Sequence, residues 1–366
     1  MKSRRKAAVF IINSLQNGGA ERVVVNMATR LDEIGIRVFI IVIHKKQFYD
    51  IPNTIEVINI GTESHGIKKV LNIFPLSRKL SRILKSINKK YDVVLNTAHL
   101  PYTHIICRFS QFNSEIMYVM HNPQFQFKHS NTLFFKWKIK FLYFGKKVIA
   151  VSEGVRDELL KVYKLKSKDV KTIYNPINVN EIDRKLSEHE TKIPTFPYVL
   201  AAGRLNEQKR YDRLLYAYKK SRLCDSYKLV ILGIGEEKEK LESIILDQHL
   251  QDKVLLPGWS NNVYQWMKNA KLFVSSSDYE SFGMTILEAL YCGCKVVSTD
   301  CKYGPNEIMT GKLSKYLSAL NSSDLANKMD LAIEKYPRIS GDIFSKFRVE
   351  NIMKQYLKCY QDNIRK

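Results

Sequence analysis

Short apolar runs alternate with longer polar or amphipathic stretches along the whole chain. Residues 7–12, 38–44, 55–60, 93–96, 116–120 and 147–151 have strand length, and the stretches between them, including 20–34 and 67–88, carry helical spacing. This alternation predicts a parallel sheet covered by helices. A polar, proline-bearing stretch over 175–197 interrupts it, and it restarts at 198–202, 228–232, 254–256, 272–275 and 295–298. The expected organisation is two α/β domains, 1–180 and 198–340, joined by a linker over 181–197. Residues 343–360 read as one amphipathic helix offering Phe344, Val349, Ile352 and Tyr356 for packing, so the terminal segment 341–366 can fold back on the first domain.

Composition supports this picture. A chain of 366 residues suits two domains, and 45% hydrophobic with 26% charged residues is a soluble globular balance. Mean hydropathy is −0.25, and no run reaches the roughly 18 apolar residues of a membrane span. The basic opening followed by residues 7–12 imitates a signal peptide, but Asn13 and Ser14 cut the apolar run short; we read it as a buried first strand. The cysteines (Cys107, Cys224, Cys292, Cys294, Cys301 and Cys359) form no even framework, which points to free thiols in a reducing compartment. Cys292, Cys294 and Cys301 have no evident fourth ligand, so no metal is expected there.

Charge adds a second theme. The formal net charge is +23, and +16 of it falls within residues 1–190. Between His65 and Lys147 the only acidic residues are Asp92 and Glu115. Such a field suits a polyanion, whether nucleic acid, anionic membrane or pyrophosphate-bearing substrate.

Candidate chemistry concentrates in residues 275–299, read as strand, polar loop, helix and strand. Glu280 and Glu288 frame the loop, and eight residues at 100° each would bring a helical chain back to within about 80° of its starting direction. The amides of Phe282, Gly283 and Met284 lie between the two carboxylates at a helix start, where free N–H groups favour an anion. Carboxylate, anion site, carboxylate is a receptor for sugar, diphosphate and ribose in line; two solvated glutamates would give the same spacing. Near the amino terminus, Gly18 and Gly19 lead from the first strand into a helix, which admits a phosphate or sugar as readily as it makes a plain turn. The loop is not G-x-G-x-x-G, and VIHKK at 42–46 lacks the acidic ribose partner of a nicotinamide site. At the end of the first strand of the second domain, Arg204 offers a planar fork and Lys209 a compact charge for phosphate oxygens. Placement at a strand's carboxyl end speaks for binding, and solvated side chains remain the alternative.

Taken together the motifs resemble glycosyltransferase family four, with the GT-B architecture of two facing Rossmann-like domains. The resemblance covers nearly the whole chain: GGAER at 18–22, His121 after a strand, Ser152-Glu153-Gly154, Tyr174-Asn175-Pro176, GRLNEQK at 203–209, Leu232-Gly233-Ile234-Gly235-Glu236, Pro257-Gly258, and Glu280 to Glu288 matching the family's Glu-x7-Glu. It implies an acceptor-binding first domain and a nucleotide-sugar-binding second one. Arg204 and Lys209 would hold the donor diphosphate, approached also by Gly19 from the other domain, and Glu288 would take the ribose hydroxyls. Glu280 and the amides of Phe282, Gly283 and Met284 would position donor sugar and phosphate, His121 would lie beside the transferring sugar, and the base would rest near Leu256 and Gly258. The family also implies retention of anomeric configuration. No Asp-x-Asp is present to carry a metal, and no cofactor beyond the nucleotide sugar is expected. One departure is Tyr303-Gly304-Pro305-Asn306-Glu307, where Pro305 removes a backbone donor from a loop that usually serves the donor. Relatives with Gly-Pro there lead us to expect a UDP- or GDP-linked hexose or N-acetylhexosamine.

The acceptor is argued from the basic half. If residues 132–144 are helical, Phe134, Trp137, Phe141 and Phe144 share one face while Lys136, Lys140 and Lys147 gather on another. Such a helix can lie in an anionic membrane interface, each cation contributing about 1 kcal/mol, or its aromatic face can pack on its own domain. The membrane reading implies a lipid-linked saccharide acceptor in bacterial polysaccharide, O-antigen or lipopolysaccharide assembly. It places the protein in the cytoplasm, peripherally on the inner face of the membrane. Two alternatives stand beside this: an epimerase or hydrolase of nucleotide sugars with the same architecture, and a basic nucleic-acid-binding protein, which no accompanying motif supports.

Overall fold

The computed structural model describes residues 4–16, 18–46, 49–63, 65–124, 132–188 and 193–364. The chain divides into two compact units, residues 1–176 with 347–366, and residues 177–346. The first contains a seven-stranded sheet in the order β3-β2-β1-β4-β5-β6-β7, built from β1 (Lys6–Ile12), β2 (Arg37–Val42), β3 (Glu56–Asn59), β4 (Asp92–His99), β5 (Met117–Met120), β6 (Val148–Ala150) and β7 (Val170–Thr172). The second contains a six-stranded sheet in the order β10-β9-β8-β11-β12-β13, from β8 (Tyr198–Ala202), β9 (Lys228–Leu232), β10 (Val254–Gly258), β11 (Leu272–Ser275), β12 (Val296–Thr299) and β13 (Leu317–Ser318). Every strand pair is parallel. Each unit is thus a helix-covered, Rossmann-like parallel sheet, as the alternation predicts.

The apolar runs read so clearly because the central strands are covered on both faces. Residues Ala7 to Ile12 of β1 are buried without alternation between β2 and β4, which is the pattern of a parallel-sheet interior. β7 and β13 went unpredicted because three and two residues carry no usable periodicity.

Three expectations are corrected. The helix expected over 67–88 is two helices, Gly66–Leu71 and Ile73–Lys90. Pro75 has no N–H for the carbonyl of Leu71, four residues back, and its ring would crowd that oxygen; the ladder instead restarts with the Leu76 amide donating to Asn72. The terminal helix begins later than expected, a short turn at Asp342–Ser345 preceding Val349–Ile364. The long helix belongs to the first unit, burying Ile352 and Tyr356, with Glu350 3.3 Å from Arg30 of the helix Gly19–Glu33. Residues 179–187, read as part of the linker, form the helix Val179–Ser187 of the second unit. It is capped by Asn178 and tied by its Lys185 carbonyl, which accepts from the Asn262 side chain at 2.7 Å.

The helix Leu133–Tyr143 separates the two options left by its sequence. It buries Ile139, Leu142 and Tyr143, and it leaves Phe134, Trp137, Phe141 and Phe144 exposed. Residues 125–131 of the same aromatic and basic stretch lie outside the described residues.

Candidate active site

In both sheets the strand order reverses direction in the middle, between β1 and β4 and between β8 and β11. Crossovers leave these neighbours toward opposite sheet faces, so their carboxyl ends open a crevice in which α/β sheets bind ligands. In the second unit the loop after β8 carries Arg204 to Lys209, and the loop after β11 carries Ser276 to Glu280. The two loops are stitched together across that switch point. The Lys209 Nζ lies 2.7 Å from Glu280 Oε1, and Ser277 Oγ donates to the same oxygen at 2.7 Å. Ser276 Oγ donates to the Lys209 carbonyl at 2.7 Å, and Gln208 Nε2 to the Tyr279 carbonyl at 2.8 Å. Beneath them a small cavity is lined by Lys209, Tyr211, Ser275, Ser277 and Thr285. Burial, with the charge of Glu280 added, pushes the Tyr211 phenol up.

Glu280 and Glu288 are placed differently from a single helical stretch. The helix spans only Met284–Tyr291, so Glu280 sits in the preceding loop, where its amide donates to the Lys302 carbonyl at 3.0 Å. Glu288 lies in the helix's second turn and is 2% exposed. Between them Gly283 takes a left-handed conformation, φ 94°, as the residue before the helix, which turns the chain so that the following amides point outward. The departure noted at Gly304 has a packing cause: at φ 89° a Cβ there would stand 1.9 Å from the Phe282 carbonyl oxygen. Gly304 therefore supports the Phe282–Met284 turn by letting a second loop press against it. Pro305 occupies the first position of a helical turn, where no backbone donor is needed.

Arg204 is exposed, with no ion-pair partner among the described residues, and so is available to an anion. Arg210 and Arg213 are committed elsewhere. Arg213 is buried, donates to the Ser276 carbonyl at 2.9 Å and pairs with Asp278; Arg210 pairs with Asp278 at 2.9 Å and Asp212 at 3.0 Å. These contacts brace the loop that carries Glu280. Leu256 and Gly258 end β10, and the Gly258 carbonyl accepts from the Gly233 amide at 2.8 Å, setting the loops after β9 and β10 side by side.

In the first unit Gly19 is the exposed first residue of the helix after β1, and His121 directly follows β5. His121 is 6% exposed. Its Nε2 shares a 2.7 Å hydrogen bond with Nδ1 of His99, whose Nε2 is 3.0 Å from Thr97 Oγ1. The two imidazoles stack with centroids 5.0 Å apart. Burial, reinforced by His104, pushes His121 down to about 3, and His99 is held well below the usual range by burial and by His121. His104, pushed down to about 4 by burial, donates from Nε2 to the Ala98 carbonyl at 2.9 Å and accepts from the Tyr143 hydroxyl at 2.8 Å. A neutral imidazole has one N–H and one acceptor nitrogen, so His99 orients His121 without sharing a charge with it.

The comparisons with known proteins follow this geometry. Residues 17–181 match the model described as Glycosyltransferase Family 4, and residues 182–340 match that of Glycosyl transferases group 1. The N-acetylgalactosamine-N,N'-diacetylbacillosaminyl-diphospho-undecaprenol 4-alpha-N-acetylgalactosaminyltransferase of Campylobacter jejuni is 30% identical over 313 residues, 83% of either chain. The chain is a family 4 glycosyltransferase. The lipopolysaccharide 1,6-galactosyltransferase of Salmonella typhimurium is 28% identical over 44% of this chain and 45% of its own. Among solved structures, Anabaena HepE in complex with UDP and glucose superposes with a TM-score of 0.77 at 19% identity, over 98% of this chain and 100% of that one. The fold of this glycosyltransferase is accordingly GT-B.

Sequence reasoning missed the partners that hold these groups. His99 was set aside with the structural or exposed histidines, although it is the direct partner of His121. Its position as the last residue of β4, at the switch point, was the signal available. Ser277 and Arg213 gave no local signal, because each meets its partner only through folding. All six cysteines are free and buried.

Two predictions follow from the packing and the burial. Gly304→Ala should lower the unfolding free energy by about 2 kcal/mol or more, through strain and the clash with Phe282, and should weaken UDP binding; urea titration and calorimetry check both. The buried histidines take up protons only on unfolding between about pH 6.5 and pH 4, because the unfolded imidazoles titrate near 6.5 and the folded ones far lower. Stability should therefore be complete above pH 6.5 and fall as pH drops, by up to about 1.4 kcal/mol per pH unit for each histidine. Urea unfolding of the chain at pH 7, 5.5 and 4.5 measures the slope.

Proposed function

We propose that this glycosyltransferase moves a hexose or N-acetylhexosamine, with retention, from a UDP-sugar to a lipid-linked saccharide. In this reading it works at the inner face of the bacterial cytoplasmic membrane, in polysaccharide, O-antigen or lipopolysaccharide assembly. The observation that carries the reading is the anion receptor at the β8/β11 switch point: exposed Arg204, the Lys209–Glu280 pair and the outward amides after Gly283, with buried Glu288 one helical turn on. The C. jejuni relative named for a diphospho-undecaprenol acceptor supports the lipid-linked saccharide, and HepE bound to UDP supports the nucleotide.

The chemistry needs charge stabilisation more than a proton donor. The bond between the anomeric carbon and the donor's phosphate oxygen breaks, and the departing UDP keeps the electron pair. The acceptor hydroxyl attacks the same face, and its proton passes to the leaving phosphate. Arg204, Lys209 and the helix start stabilise the charge that develops on UDP, a kind of preorganised contact worth about 3–4 kcal/mol of barrier per donor. Glu288 takes the ribose hydroxyls and Glu280 a sugar hydroxyl. His121, neutral at physiological pH, contacts the transferring sugar as a positioning residue. No described helix is long and apolar enough to cross a membrane, so access to a lipid-linked acceptor is assigned to the exposed aromatic and basic surface of the first unit.

A panel of UDP- and GDP-sugars with extracted bacterial glycolipids, scored for released nucleotide and for glycolipid mass, tests the reading. Release with a mass gain of one sugar and an α-linkage from an α-linked donor is expected. Release in the absence of any acceptor, with no mass gain when glycolipid is supplied, would move the protein to the hydrolase or epimerase class. Arg204→Ala should reduce kcat by about 100- to 1000-fold, and Glu288→Gln should raise the donor KM by about 10-fold or more. His121→Ala should cut kcat at least tenfold; turnover within a few fold of wild type would remove its assigned role.

A further inference from the structure

We infer that the first unit carries a two-armed docking face for an anionic lipid bilayer. The first arm is the helical segment around residues 66–74, the second is the helix Leu133–Tyr143, and Phe109 bridges them. The inference deepens the membrane part of the reading above and rests on it.

The first arm had no place in the sequence reading. Ile67, Val70, Leu71 and Phe74 fall at i, i+3, i+4 and i+7, the spacing of one helical face, and all four are exposed, Ile67 at 79%. No residue of the helix Gly66–Leu71 is buried. Its apolar stripe therefore faces outward, the reverse of what a surface helix does when its only task is to cover a core. A run of rings joins this stripe to the second arm: Phe74 is 4.9 Å from Phe109, Phe109 6.2 Å from Phe141, and Phe141 is stacked on Trp137 at 5.7 Å. Trp137 is 61% exposed. The side chains form one continuous ridge rather than scattered apolar residues, and a ridge of this extent marks an interaction surface.

Charge selects the occupant. No acidic residue occurs between Glu63 and Asp92, between Asp92 and Glu115, or between Glu115 and Glu153. The cations on these segments sit against the ridge. The Lys69 ammonium lies over the Tyr102 ring at 4.6 Å and the Arg108 guanidinium over the Phe141 ring at 5.3 Å, while Lys68, Lys136 and Lys140 add to the same arms. An aromatic and aliphatic ridge flanked by cations, with no acid among them, matches a surface whose hydrocarbon lies just beneath a layer of negative headgroups. A second copy of this chain would instead bring the same positive charge against itself.

Flotation of the full chain with vesicles of phosphatidylethanolamine and phosphatidylglycerol, compared with phosphatidylcholine alone, tests the proposal. Wild type should float with the anionic vesicles and be released by high salt. Leu71→Glu with Phe74→Glu, and separately Trp137→Glu with Phe141→Glu, should each reduce the partition coefficient at least tenfold, with circular-dichroism melting curves confirming that these exposed changes leave the fold intact. Transfer to a detergent-dispersed acceptor should be unchanged in both, which separates docking from catalysis. A first-arm variant that floats like wild type, while the second-arm variant does not, would overturn the two-armed face and leave a single interfacial helix. Failure of wild type to float would overturn docking altogether without touching the transfer reaction. A concentration-dependent dimer in sedimentation, abolished by the first-arm variant, would assign the ridge to a second copy and overturn the bilayer.

Discussion

The reversal of strand order at β8 and β11 is the constraint on which the candidate site depends. Neighbouring parallel strands whose crossovers leave toward opposite faces cannot cover their own carboxyl ends, so a crevice is left where loops and helix starts present unpaired amides. A partly buried carboxylate in that crevice needs a partner, since leaving it alone would cost several kcal/mol. Lys209 and Ser277 meet that need for Glu280, and in doing so they hold the loop after β11 against the loop after β8. Arg213 and Asp278 brace the same loop from within the fold. Electrostatic pairing here serves geometry: it fixes where the exposed Arg204 and the amides after Gly283 can act.

The first unit solves a related problem with neutral groups. Three histidines are buried beside the carboxyl ends of β4 and β5, and burial keeps them uncharged, so their hydrogen bonds can be satisfied without desolvating a cation. The chain from Thr97 through His99 to His121 gives His121 a fixed partner. An imidazole held this way suits contact with an uncharged hydroxyl and is poorly suited to shuttling protons near neutral pH. The outer surface of the same unit takes the opposite course, displaying cations and rings that folding leaves uncovered.

The sequence by itself determined the architecture. Parallel strands buried on both faces must be continuously apolar and must alternate with helices, so the fold was legible from the runs at 7–12, 38–44, 198–202 and 228–232. It also determined which residue types stand after each strand: Arg204, Lys209, Glu280, Glu288 and His121 were all identified from position along the chain, because loops at strand ends are local features. Elements of two or three residues, such as β7 and β13, and the Pro75 break were not legible, since their pairing or interruption depends on neighbours rather than on periodicity.

Only the tertiary structure decided who holds whom. The pairing of Lys209 with Glu280 spans two loops, that of His99 with His121 spans two strands, and the press of Gly304 on Phe282 joins two turns. Each is a contact between segments distant in sequence, whose energy exists only after the sheet has brought them together. The same holds for exposure: amphipathic spacing shows that residues 67, 70, 71 and 74 share a face, but which way that face points is set by what the rest of the unit has left to bury.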